Sequence, residues 1–254
     1  MSCSGVMTMQ KLYEKSELWF ALAWIAVYVA GCSAADQLSA AWGVEKVVSL
    51  PFLALLSMVA WGWVRKNGLL KKYGLCKSQV SAKSTLYYLP LLLFVSCNFW
   101  FGIKLQLPLA EALLYMGSMI CVGFLEELLF RGFLFRAMSR DGLHSAIIVS
   151  SMTFGIGHIV NLFNGSGMSL LSNLCQVVSA IAFGFLFVIL FHRGGSLWPC
   201  ILAHITINVS SVFANESRIT DNTEILTAVI LTVGSLLYTL ILLKTLPPRD
   251  ASSQ

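Results

Sequence analysis

Charge is what this sequence has least of. Only 11% of its 254 residues are Asp, Glu, Lys or Arg, against roughly 25% in a soluble globular chain. Hydrophobic residues make up 57%, and mean hydropathy is +0.78. An ordinary soluble domain is therefore excluded, and the chain reads as an integral membrane protein. The net charge of +5 comes without any basic–aromatic pattern. The basic residues flank apolar stretches, where they act as topology signals, so no nucleic-acid partner is expected. Metal-binding cysteine spacing is missing too. The seven cysteines (Cys3, Cys32, Cys76, Cys97, Cys121, Cys175 and Cys200) stand singly with no CxxC pair, as small hydrophobes do. The HExxH spacing of many zinc peptidases and any phosphate-cradling glycine loop are also lacking. The first ten residues have no basic n-region, and no clear cleavage site follows, so no cleavable signal peptide is expected.

What the chain does have is apolar runs. Eight of them, 18–35, 47–64, 85–103, 110–135, 143–163, 171–191, 197–213 and 225–243, approach the ~20 residues that span a bilayer as a helix. The alternation of a membrane β-barrel is absent. The basic residues test this count. With the N-terminus inside, fourteen of them (Lys11, Lys15, Arg65, Lys66, Lys71, Lys72, Lys77, Lys83, Arg131, Arg136, Arg140, Arg193, Lys244 and Arg249) fall on the inner side. Three, Lys46, Lys104 and Arg218, fall outside. Such an excess sets orientation. The expectation is an all-α, polytopic bundle of about eight transmembrane helices, with 1–254 forming one integral domain. It is expected to be multi-pass in the plasma membrane, with both termini cytoplasmic and the lipid bilayer as its partner.

Two acids break the pattern. Ten of the twelve carboxylates lie in loops, in tails or, like Glu111, at the edge of a run, but Glu126 and Glu127 sit deep inside the fourth run. An acid at a membrane helix centre costs about 2.5–3.5 kcal/mol on insertion scales, which makes the pair a candidate site. Glu127 and Arg131, four apart, share one helix face and can neutralise each other. Glu126, rotated by about 100°, faces another neighbour. Asp141-Gly142 is a natural turn. Glu126 lies fifteen residues before Asp141 and His158 seventeen after it, so both stand ~22–26 Å from the turn at 1.5 Å per residue. Gly155 and Gly157 would permit close helix approach there. His204 and Asn208 share a face ~14–20 Å from the Gly194-Gly195 turn on the same side. His144 and His192 sit at segment ends and read as interfacial. Converging Glu, His, His and Asn side chains suit hydrolysis. Glu126 and His158 can activate water, and His204 and Asn208 can donate to an oxyanion. A zinc site on Glu126, His158 and His204 is a second possibility. A proton-coupled transporter would also hold buried Glu and His, but the inverted repeat common in that class is not detectable.

Glu126-Glu127-x-x-x-Arg131, Phe154-x-x-x-His158 and His204-x-x-x-Asn208, in this order and all in apolar segments, resemble the signature of the CAAX-protease and bacteriocin-processing (CPBP, or Abi) intramembrane peptidases. The type II CAAX prenyl endopeptidases belong to that family. The matching core runs over 117–210. The resemblance implies an eight-span helical fold and an endopeptidase acting on a peptide or protein presented at the membrane. It implies Glu126 and His158 as the water-activating pair, His204 and Asn208 as the oxyanion site, and Glu127, Arg131 and Phe154 in support. Members are described both as metallopeptidases and as metal-independent enzymes; here no cofactor is favoured and zinc is the alternative. A bacteriocin-immunity or secretion-accessory binding protein of the same fold is the competing function.

Overall fold

The computed structural model describes residues 3–78, 83–164 and 167–246; Arg249, one of the fourteen inner basic residues, lies outside them. Within the described residues the architecture is helical, with one isolated β-bridge between Ile103 and Ala214. We number the helices α1 (Cys3–Lys15), α2 (Glu17–Trp42), α3 (Ser49–Lys66), α4 (Leu86–Phe99), α5 (Leu109–Met138), α6 (Leu143–Leu162), α7 (Leu170–Gly194), α8 (Trp198–Phe213) and α9 (Asp221–Thr245).

Five of these, α2, α5, α6, α7 and α9, are long and apolar enough to cross a membrane. The molecule is an all-α membrane helix bundle. The other three apolar runs differ from the sequence expectation of near-equal spans. Helix α3 has 18 residues but ends on Arg65 and Lys66. Helices α4 and α8 have 10–17 residues, at most about 25 Å at 1.5 Å per residue, short of the ~30 Å hydrocarbon core. In α4 the cause is local. Pro90 stands at the junction of two short helical pieces, and proline both lacks an N–H and fixes its φ.

Local chemistry sets the helix ends. Ser16 caps α2 through the Trp19 N–H, Thr220 and Thr223 form a reciprocal capping box on α9, and Pro199 opens α8. Gly195 ends α7 in the left-handed region at φ 70°, which glycine adopts without penalty. Helix α7 packs between α6 and α9, while α5 packs on α3 and α8 and its second half on α2 and α6. The crossing of α6 and α7 has backbone contact at two points. A Cβ on Gly155 would lie 2.6 Å from the Ile181 nitrogen, and one on Gly184 would lie 2.8 Å from the Ser151 carbonyl oxygen. These glycines hold α6 against α7, as small residues do between membrane helices. Gly157 has open space around it. Of the two glycines expected to admit a neighbour, only Gly155 does so.

Candidate active site

The site begins where α5 changes its winding. The helix is α-helical to Glu126 and a π-helix from Glu127 to Phe135. Wider turns of this kind are rare and recur at functional sites. Here the winding brings Glu127 and Arg131 to 3.1 Å with both side chains fully buried. Ser150 of α6 donates to the Phe130 carbonyl inside the π segment at 2.8 Å, satisfying an acceptor that the altered register would strand.

The next layer comes from α8. A Cβ on Gly123 would stand 2.9 Å from the Ile205 nitrogen, so α5 and α8 touch backbone to backbone one turn before the acids. That contact carries His204 between the two glutamates. Its Nδ1 lies 2.8 Å from Glu127 Oε1, and its Nε2 lies 3.4 Å from Glu126 Oε2. A carboxylate only accepts, so Nδ1–H donates to Glu127, while Glu126 Oε2 lies beside Nε2 without a hydrogen bond among the described residues. Glu126 Oε1 accepts a third contact, from the Tyr28 hydroxyl of α2 at 2.6 Å. Glu126 is thus held from two helices and keeps 13% of its side chain exposed.

Phe154 of α6 sits at the centre. The Arg131 guanidinium lies 3.8 Å from its ring centroid, a cation–π contact in a dry setting. The rings of His158 and His204 meet it edge-on at 5.1 and 5.8 Å. His158 opens a 3-10 turn at the end of the α-helical part of α6, and its Nδ1 lies 3.0 Å from the Phe154 carbonyl. A carbonyl cannot donate, so Nδ1 carries the proton, and in the neutral ring Nε2 is left as an acceptor. Asn173 donates to the His158 carbonyl at 2.9 Å and fixes the turn.

Above these residues lies a cavity of about 340 Å³, with His158, His204, Asn208, Phe154 and Phe187 in its wall. Among the described residues the Asn208 side chain makes no hydrogen bond, whereas nearby Asn98 is committed to the Ile207 carbonyl and the Ser210 hydroxyl. Three of the four residues expected to be catalytic therefore share one cavity wall. The fourth, Glu126, lies behind His204.

Within the described residues no hydrogen bond joins Glu126 to His158 directly, and the histidine touching Glu126 is His204. Of the residues considered for zinc, His204 turns Nδ1 to Glu127 and Nε2 toward Glu126; among the described residues no three His, Cys, Asp or Glu side chains form a ligand group. Tyr28 was missed altogether. Its signal was faint: a buried tyrosine hydroxyl in an apolar helix needs a partner, but many partners are possible. His144 is exposed, and His192 is half-buried with its ring 6.0 Å from Phe135.

Residues 108–210 match the family model described as Type II CAAX prenyl endopeptidase Rce1-like. The match holds all of α5, α6 and α7, most of α8, and every residue of the three motifs. No curated protein and no solved structure matches the chain.

Proposed function

We propose that this chain, which belongs to the type II CAAX prenyl endopeptidase (Rce1-like) family of peptide hydrolases, cleaves a peptide bond in a membrane-presented polypeptide using water activated by Glu126 and His158. The observation that carries the reading is one junction. His204 stands between Glu126 and Glu127, with the Arg131 counter-charge behind them, at the floor of a cavity that also holds His158 and Asn208.

A water at the cavity floor is aligned by the Nε2 acceptor of His158 and gives its proton to Glu126 as its oxygen bonds to the scissile carbonyl carbon. The carbonyl oxygen takes the negative charge and accepts from the Asn208 amide, with His204 on the same cavity wall completing the oxyanion site. Glu126 then returns the proton to the amine nitrogen as the C–N bond breaks. Glu127 orients the His204 ring through Nδ1, and Arg131 neutralises Glu127. No step calls on a metal.

Comparative peptidomics of cells carrying the wild-type protein or Glu126→Gln tests this reading. A product present with the wild type and missing with the variant is the expected outcome, with equal amounts of both proteins in the membrane. His158→Ala and His204→Ala should lose the same product. Asn208→Ala should retain weak turnover, because one oxyanion donor is worth about 10²–10³ in rate. Full turnover by Glu126→Gln would remove Glu126 from the role of base.

A further inference from the structure

The cavity over the site has a direction. Its lining comes from one end of the bundle: Asn98 in α4, His158 near the end of α6, Met168 just before α7, Ser172 in the first turn of α7 and Glu224 in the first turn of α9. The deeper lining residues Phe187 and His204 close its floor. No lining residue belongs to 65–78, 136–145, 188–200 or 232–246. Those four stretches carry the basic residues of the other end, among them Arg65, Lys71, Lys72, Arg140, Arg193 and Lys244. Glu17 ties part of that end together through Lys72 at 2.6 Å and Arg140 at 2.8 Å. A Lys/Arg excess beside membrane spans marks the cytoplasmic face. The cavity therefore opens away from it.

We infer that the substrate reaches the site from the extracytoplasmic side, as an uncharged, apolar segment of an exported or membrane-anchored polypeptide. The inference rests on the peptidase reading proposed above. The lining fits such a segment. Phe101, Phe154, Phe183 and Phe187 give aromatic walls, and Asn208 offers an amide to a backbone carbonyl. Among the described residues Glu224 is the one carboxylate in the lining, it stands at the rim where Ser172 donates to it at 3.0 Å, and no lysine or arginine lines the cavity. A charged side chain deeper in would lose its water and find no opposite charge. The volume lies at the small end of the ~300–1,000 Å³ of ligand pockets, room for a few side chains rather than a folded domain.

A native cysteine reports on this directly, because Cys175 lies in the cavity lining. The experiment uses the full chain with Cys175 as its sole cysteine, treated with a membrane-impermeant methanethiosulfonate. A second protein carries Lys71→Cys as its sole cysteine, on the basic face. Cys175 should be modified in intact cells and not in sealed inverted vesicles, with Lys71→Cys showing the reverse. Modification of Cys175 only from the face that exposes Lys71→Cys would overturn the inference. Should Cys175 react from neither face, Ser172→Cys at the rim is read by the same criterion. A second arm maps the product lost in Glu126→Ala cells. An extracytoplasmic sequence supports the inference, and a cytosolic one overturns it. If no product is lost, the peptidase reading fails, while the labelling still decides on which side the cavity opens.

Discussion

Tyr28 donates to Glu126 from a helix outside the family match, and only a hydroxyl separates it from phenylalanine. The contact is short at 2.6 Å, and Tyr28 is buried at 6% exposure. A hydrogen bond to a charged group is worth about 1.5–3 kcal/mol. If that bond holds the Glu126 carboxylate where it meets water, Tyr28→Phe should lower kcat by about 10–100-fold. KM should stay put, because Tyr28 does not line the cavity. Steady-state kinetics alongside a thermal melt in detergent separates this from a general weakening of the fold. A lower melting temperature with unchanged kcat would make Tyr28 a packing residue and nothing more. The same scale shows where sequence reading stops. Two acids in an apolar run declare themselves through their insertion cost. Which histidine nitrogen meets which carboxylate depends on the rotation of α5 and α8 about their own axes, and no spacing rule supplies that angle.

At the scale of elements, one glycine sets that angle. Gly123 lets the α8 backbone approach α5 at Ile205, and His204 is the next residue along. A larger side chain must push the two helices apart. Gly123→Val should destabilise the protein by about 1–3 kcal/mol, the usual cost of overpacking. It should also abolish peptide cleavage in the fraction that stays folded, since the 3.4 Å contact of His204 with Glu126 does not survive such a shift. Gly157→Ala is the control. Open space surrounds that position, so its stability should move by no more than about 0.5 kcal/mol. Activity per folded molecule separates the two variants, and equal activity would show that the α5–α8 distance does not govern the site. The sequence pointed to Gly155 and Gly157 because they flank His158, and only Gly155 meets a neighbour. Gly123 sits one turn before the acids in plain view, but a lone glycine in an apolar helix does not say which helix it faces. The π-helix was hidden for a related reason: it depends on the partners that receive its displaced carbonyls, such as Ser150, and those come from another helix.

For the whole molecule, hydropathy alone carried most of the fold. The eight apolar runs coincide with α2 to α9, because in lipid every backbone group must be satisfied within its own segment. What hydropathy did not carry was the shortness of α4 and α8, the two helices that donate Asn98 and Asn208 to the cavity wall. Orientation rests on a separate signal, the basic residues, and α9 tests it cleanly. It has 25 residues, ~37 Å at 1.5 Å per residue, more than the ~30 Å core. Its two ends must emerge on opposite faces. Arg218 lies just before the helix and Lys244 in its last turn, both exposed. On the orientation proposed from the excess of Lys and Arg around 65–77, 136–140 and 193, Lys244 would lie on the cytoplasmic side. Single cysteines at these two positions should therefore respond oppositely: Arg218→Cys to an impermeant maleimide on intact cells, Lys244→Cys only once the membrane is opened. The reversed pattern would invert the whole bundle, and with it the face to which the cavity opens. Both cysteines on one face would mean that α9 does not cross the membrane at all.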